Sequence, residues 1–142
     1  MTLTLVCVDA NLIVRLFSRI TTELQVRELW NHWLESEYTI VAPTLIYYEL
    51  SNALHRAAVA GQILPEEADR ALAEAINLNI RLYGDAELHR QALTIARSLR
   101  LSATYDAHYL ALAQRLQCEF WTSDRRLVNS VQAMFPWVKL VS

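Results

Sequence analysis

The chain has 142 residues, of which 54% are hydrophobic and 20% charged, and these values indicate one globular domain over residues 1–142 rather than a disordered chain. The net charge of −2 excludes a general electrostatic attraction to nucleic acid, so phosphate would have to be bound by a local group of arginines or by metal ions. No apolar run is long enough to span a membrane and no secretory signal precedes residue 9, which predicts a cytoplasmic protein that does not bind membranes.

Short apolar runs alternate with helical patterns along the whole sequence. Pro43 is expected to begin a long helix that Gly61 ends, and Asp85 is expected to cap another helix. In chain order, the predicted elements are a strand at 3–8, helices at 9–17 and 21–36, a strand at 39–42, helices at 43–60 and 65–78, a strand at 79–83, helices at 85–99 and 104–117, a strand at 119–122, a helix at 124–134 and a strand at 137–141.

Strands that are separated by helices predict an α/β fold in which a parallel sheet is covered on both faces. In such sheets ligands bind at the carboxyl ends of the strands. Asp9 directly follows the first predicted strand, and Asp124 follows the fourth. Adjacent strands would bring these two carboxylates together. Asp106, in the first turn of the helix that leads to the fourth strand, is the third candidate.

Two of the acidic residues lie among apolar neighbours on their helices. Asp106 shares a helical face with Leu110 and Ala113, and Glu49 has no cation three or four residues away on either side. A surface carboxylate on a helix usually has polar or basic side chains three or four residues away. Taken singly, Asp9, Asp106 and Asp124 have ordinary explanations as helix caps or first-turn residues, but together they indicate a site.

Clustered carboxylates repel each other, so a positive group must hold them together. Oxygen donors without a pattern of cysteine or histidine ligands suit Mg²⁺ or Mn²⁺. Such ions lower the pKa of bound water and stabilise an in-line displacement at phosphorus. Arg15, Arg125 and Arg126 follow these site residues within about two helical turns and are candidates for phosphate contacts. They are equally well explained as solvated surface residues.

Four segments, taken in their order and spacing, resemble the acidic motifs of the PIN domain, and more narrowly those of the VapC-type toxins of toxin–antitoxin pairs. The segments are VDAN at 8–11, YELSNAL at 48–54, YDAHYLALA at 105–113 and WTSDRRL at 121–127. The resemblance covers nearly the whole chain.

The resemblance implies a Rossmann-like three-layer α/β/α sandwich and cleavage of single-stranded RNA with Mg²⁺ or Mn²⁺. It also implies a homodimer and a cognate antitoxin that covers the site. The residues that match the family pattern are Asp9, Glu49, Asp106 and Asp124 as the acidic quartet, Thr122 as a supporting hydroxyl, and Asn11 beside it.

Three other interpretations stay open. A phosphohydrolase that uses Asp9 as a covalent nucleophile would usually have a second carboxylate at position 11, which is Asn11, and a lysine near the site, whereas Lys139 is the only lysine. A PIN-like fold that only binds RNA or protein is the second. The third keeps the chemistry in a housekeeping role, with the protein processing ribosomal or transfer RNA.

Aromatic and histidine residues add two smaller questions. Trp30 and Trp33 share one helix face, which favours core packing, with a groove for a second copy or an antitoxin as the alternative. The histidines are interpreted as structural or surface residues because no two of them have zinc-ligand spacing on a helix. A role at the site stays open for His108, which lies two residues after Asp106.

Overall fold

The computed structural model describes residues 3–17 and 24–141. Within them the chain alternates between strands and helices in the predicted order. The strands are β1 (Leu5–Val8), β2 (Thr39–Pro43), β3 (Arg81–Tyr83), β4 (Glu119–Thr122) and β5 (Val138–Leu140). The helices are α1 (Ala10–Leu16), α2 (Leu24–Glu35), α3 (Leu45–Val59), α4 (Pro65–Ile76), α5 (Ala86–Leu99), α6 (Tyr105–Leu116) and α7 (Arg125–Val131).

The five strands form one parallel sheet in the order β3-β2-β1-β4-β5. The chain starts at the central strand, builds outwards through β2 and β3, and then crosses back to place β4 on the other side of β1. Strand order therefore reverses between β1 and β4, where an open α/β sheet has its binding crevice.

Helices cover both faces of the sheet, as residues of β4 demonstrate. Phe120 stacks on Tyr109 of α6, with ring centroids 5.5 Å apart, whereas its neighbour Trp121 meets Trp33 of α2 at 6.1 Å. Successive strand side chains point to opposite faces, so α6 and α2 lie on different sides. The predicted three-layer α/β/α sandwich is confirmed.

The core lies against the central strand. Val6, Cys7 and Val8 are at most 1% exposed, and Trp30 and Trp33 are each 3% exposed, so the interpretation of the tryptophans as core residues is confirmed. Cys7 and Cys118 are buried free thiols. Among the described residues, no helix combines the length and apolar character that a membrane span requires.

The differences from the predicted boundaries have local causes. Pro43 ends β2 rather than beginning a helix, so that prediction was wrong; α3 begins two residues later. Strand β3 begins at Arg81 rather than at 79, because Asn79 has a φ of +58°, which an extended strand cannot contain. Helix α7 ends at Val131 rather than near 134, shortly before Pro136. The start of the second predicted helix, at 21–23, lies outside the described residues.

Candidate active site

The four predicted acidic residues line one cavity of about 230 Å³. Asp9 follows β1, and Asp124 lies two residues after the end of β4. Because β1 and β4 are adjacent, their carboxyl ends bring these residues to the same crevice. Glu49 enters from α3 and Asp106 from the first turn of α6. The expected proximity of Asp9 and Asp124 follows from this pairing.

Asp9 is held by both of its carboxylate oxygens. Oδ1 accepts the backbone N–H of Leu12 at 3.0 Å, so the residue is the N-cap of α1. Oδ2 accepts the hydroxyl of Thr122. Thr122 is fully buried, and its Oγ1 in turn accepts the backbone N–H of Asp124 at 3.0 Å. Thr122 therefore ties the end of β4 to the end of β1.

Burial raises the pKa of Asp9 from its usual 3.8 to about 6. The hydrogen bonds from Thr122 and Leu12 oppose this shift, while the nearby charges of Glu49 and Asp106 add to it. The two hydrogen bonds stabilise the carboxylate but do not compensate for its loss of water. A cation in the cavity would remove this cost.

Glu49 has a buried partner of its own. The hydroxyl of Tyr109 donates to Oε1 at 2.6 Å, and Tyr109 is only 1% exposed. Desolvation raises the pKa of Glu49, the bond from Tyr109 lowers it, and the charge of Asp106 raises it further. Burial and the same carboxylate also raise the pKa of Tyr109 well above its normal value, so Tyr109 remains a hydrogen-bond donor.

The other two acidic residues are held less firmly. Desolvation and then the charge of Asp124 raise the pKa of Asp106, although the residue lies at the exposed start of α6. Asp124 caps α7 by accepting the backbone N–H of Leu127 at 3.1 Å through Oδ1. Its Oδ2 and both oxygens of Asp106 accept no hydrogen bond from the described residues.

The cavity also contains residues that the sequence interpretation did not select. Asn11 lines it as expected, together with Asn52 and Arg56 of α3 and the Tyr109 described above. Arg15, Arg125 and Arg126 are not among the cavity-lining residues. Arg56 follows Glu49 by seven residues, two helical turns, so the helical period was the signal that could have found it.

The donor set suits a hard divalent cation that keeps part of its water shell. Within residues 3–17 and 24–141, no three Asp, Glu, His or Cys side chains are close enough to form a preformed metal site. Mg²⁺ usually keeps several waters and needs only one or two direct carboxylates. Three carboxylates around one cavity have raised pKa values. Oxygens of Glu49, Asp106 and Asp124 accept no hydrogen bond from the described residues, and this combination fits such an ion.

Comparison with known proteins places the chain beside a family of nucleases. The sequence profile described as "PIN domain" matches residues 6–130. A VapC ribonuclease of Mycobacterium bovis is 32% identical over 94 residues, which cover 66% of this chain and 72% of the relative. Ribonuclease VapC9 of Mycobacterium tuberculosis matches with the same identity and coverage.

Solved structures share the fold. A protein of Pyrobaculum aerophilum has a TM-score of 0.68 at 23% identity, covering 89% of this chain and 84% of its own. A toxin–antitoxin complex from Klebsiella pneumoniae has a TM-score of 0.66 at 17% identity, with 96% and 98% covered. VapC20 of M. tuberculosis, described as a toxin that cleaves the sarcin-ricin loop, has a TM-score of 0.64 at 17% identity, with 92% and 95% covered.

Proposed function

Since the chain belongs to the PIN-domain family and resembles its VapC ribonucleases, we propose that it is a metal-dependent endoribonuclease that cleaves single-stranded or loop RNA by attack of water on the phosphodiester bond. One observation carries the proposal. Four carboxylates from four separate segments line a single cavity at the point where strand order reverses, and burial keeps the pKa of three of them raised.

Asp9, Asp106 and Asp124 would hold Mg²⁺ or Mn²⁺, directly or through water, and Glu49 would support a second ion or accept a proton. The bound ion would supply a water of lowered pKa and neutralise charge at phosphorus. Thr122 fixes the orientation of Asp9 through its hydroxyl.

The residues of the chain then divide the remaining work. Glu49 would take the proton of the attacking water, because a carboxylate with a raised pKa is a stronger base than a surface one. Tyr109 holds Glu49 by its 2.6 Å hydrogen bond. Arg56 would hold a phosphate oxygen of the RNA, since it lines the cavity and forms no ion pair with the described residues. Arg15, Arg125 and Arg126 remain candidates for phosphates further along the strand.

The relatives also support a role in the cell. One structural neighbour is described as a toxin–antitoxin complex and another as a toxin that cleaves RNA. We infer that this chain is the cytoplasmic toxin of such a pair, that it acts as a homodimer, and that a cognate antitoxin protein covers the acidic cavity.

The proposal is tested by incubating the purified protein with structured and single-stranded RNAs in Mn²⁺ or Mg²⁺, alongside EDTA and an Asp106→Asn variant. We expect cleavage that requires both the metal and Asp106. Cleavage that persists in EDTA or in the variant would contradict the assignment. Absence of cleavage together with absence of Mn²⁺ binding would favour a PIN-like module that only binds RNA or protein.

A further inference from the structure

A second concave site lies beside the acidic cavity. This aromatic groove has a volume of about 260 Å³, and its walls include Thr44, Tyr48, Tyr83, His89, Tyr105 and His108. It lies at the carboxyl ends of β2 and β3, on the same edge of the sheet as the acidic cavity at the ends of β1 and β4.

Two helices join the groove to the acidic cavity. Tyr48 directly precedes Glu49 on α3, and Tyr105 directly precedes Asp106 on α6. Consecutive Cα atoms are about 3.8 Å apart, so on both helices a residue that lines the groove is the direct chain neighbour of a residue that lines the cavity.

The two tyrosine rings are accessible to solvent. Tyr48 is 74% exposed and Tyr105 59%, and neither hydroxyl has a hydrogen-bond partner among the described residues. Single exposed apolar side chains are ordinary. Two exposed rings from different helices that line one groove beside an acidic centre form a surface on which a planar group can stack.

A pair of histidines supplies polar edges to the same groove. His108 Nδ1 lies 2.7 Å from the carbonyl oxygen of Thr104, so this nitrogen must carry hydrogen. Its Nε2 lies 2.9 Å from Nδ1 of His89, so one hydrogen is shared between these two ring nitrogens. Nε2 of His89 is left to bond with a ligand.

The charge of the molecule indicates which ligand the groove takes. The net charge is −2, and Arg56 is the only Lys or Arg among the described residues that line the cavity or the groove. The groove itself therefore offers no Lys or Arg to a phosphate, so its ligand must be held by other contacts. Stacking of an unpaired base on an aromatic ring adds affinity that does not depend on contact with the phosphate.

We propose that the aromatic groove is a nucleobase subsite, in which Tyr48 and Tyr105 stack an unpaired base of the RNA adjacent to the scissile phosphate. The subsite confines cleavage to single-stranded or loop RNA, because a paired base cannot reach the rings. This inference rests on the proposed ribonuclease function, so its test reads binding and cleavage separately.

The test compares Tyr48→Ala and Tyr105→Ala with the matching Phe variants, which keep the ring. Met134→Ala is the control, because Met134 is 62% exposed and lines neither site. Affinity for a fluorescent single-stranded RNA is measured by anisotropy in EDTA, and KM and kcat are measured in Mn²⁺. Both measurements are repeated with RNAs that lack one base at successive positions.

We expect each Ala substitution to raise Kd and KM about 5- to 100-fold, while the Phe variants and the control stay within about twofold of the parent. Removal of one particular base should weaken binding to the parent but not to the Ala variants. Ala variants that bind RNA like the control would overturn the proposal. So would Ala variants whose RNA affinity falls by the same factor as the parent's when the base is removed.

The remaining outcomes separate the two proposals. Tyrosine-dependent binding without cleavage would leave the subsite in place and overturn the nuclease. Cleavage with unchanged KM and kcat in both Ala variants would support the proposed nuclease and overturn the subsite. Ala variants that change only the oligomeric state, measured by light scattering, would assign the groove to a protein interface and overturn the subsite as well.

Discussion

Asp9 serves two purposes that conflict. As the N-cap of α1 it accepts a backbone N–H, which stabilises the fold by about 1 kcal/mol. As a carboxylate removed from water beside Glu49 and Asp106 it has a pKa of about 6, so its ionised form destabilises the fold. Functional sites commonly contain residues whose charge the fold alone does not need.

This conflict predicts the stability of the metal-free protein. The pKa of Asp9 is 3.8 ordinarily and about 6 in the fold, so the folded state binds more protons between these values. The free energy of unfolding should therefore fall as pH rises from about 4 to 6, by at most about 3 kcal/mol from this residue. Asp9→Asn should remove that fall and be more stable than the parent at pH 7.5.

Urea unfolding in EDTA at pH 4 and pH 7.5 measures the effect. The control Asp69→Asn, at an exposed position in α4, should follow the parent at both pH values. The measured quantity is the free energy of unfolding of the parent minus that of Asp9→Asn. If this difference stays constant or increases from pH 4 to pH 7.5, the assignment of a raised pKa to Asp9 is contradicted.

Tyr109 acts on Glu49 through one hydrogen bond. Because that bond lowers the pKa of Glu49, Tyr109→Phe should raise it further. If Glu49 must be ionised to accept a proton, the acid limb of the pH–rate profile should move to higher pH, with roughly tenfold slower cleavage at low pH. The ring should still stack on Phe120, so thermal unfolding should change little.

The matched control for Tyr109→Phe is Tyr47→Phe, which removes a hydroxyl that donates to the carbonyl of Ala75 at 3.1 Å, outside the acidic cavity. Its pH–rate profile should match the parent's. A uniform loss of rate at every pH in Tyr109→Phe would show that Tyr109 supports the site without setting the protonation of Glu49.

At the scale of elements, the order of strands and helices was predictable because each change of period is local in the sequence. The first and last residues of the strands and helices were harder to predict. Pro43 suits both the first turn of a helix and the end of a strand, and tertiary pairing with Tyr83 on β3 decides for the strand. Asn adopts a positive φ more readily than most residues, as Asn79 does here, but the apolar residues on either side of it favoured a strand.

The residues of the site were predictable only where they directly follow a strand or carry a charge among apolar neighbours. Asp9 and Asp124 follow from the sheet rule. The role of Tyr109 depends on contact with Glu49, 60 residues away, and no periodicity reveals such a contact. The aromatic groove likewise depends on the packing of α3, α5 and α6 around the end of β3.

One junction between elements is tight enough to test. A Cβ on Gly84 would lie 2.9 Å from Cγ2 of Thr44, and the backbone N–H of Thr44 is bonded to the carbonyl of Tyr83 at 2.9 Å, so the two segments cannot easily separate. Gly84→Ala should lower the free energy of unfolding by about 1–3 kcal/mol. Thr44→Ala should restore most of it in the double variant.

Chemical denaturation of the two single variants and the double variant measures this coupling. Gly61→Ala provides the contrast, because Gly61 has a φ of +75° and nothing within 4 Å of an added Cβ. Its cost is conformational, so Thr44→Ala should not relieve it. Additive effects of Gly84→Ala and Thr44→Ala would disprove the clash.

For the whole molecule, the small negative charge determines how RNA can be held. If Arg56 makes the main phosphate contact at the site, Arg56→Ala should raise KM for RNA about tenfold and flatten the salt dependence of binding. Arg56→Lys should recover part of the affinity, since a lysine keeps the charge but not the bidentate geometry.

The control is Arg97→Ala, which removes an exposed arginine from α5 that lines neither the cavity nor the groove. Equal losses in the two variants would mean that total charge, rather than the position of Arg56, governs binding. The measurement is RNA affinity at several salt concentrations.

The most direct test of the acidic cavity is calorimetric titration of the protein with Mn²⁺. We predict saturable binding to the parent, loss of most of that binding in Asp106→Asn, and unchanged binding in Asp69→Asn. Equal binding to all three proteins, or none to the parent, would contradict the claim that these four carboxylates hold a metal ion.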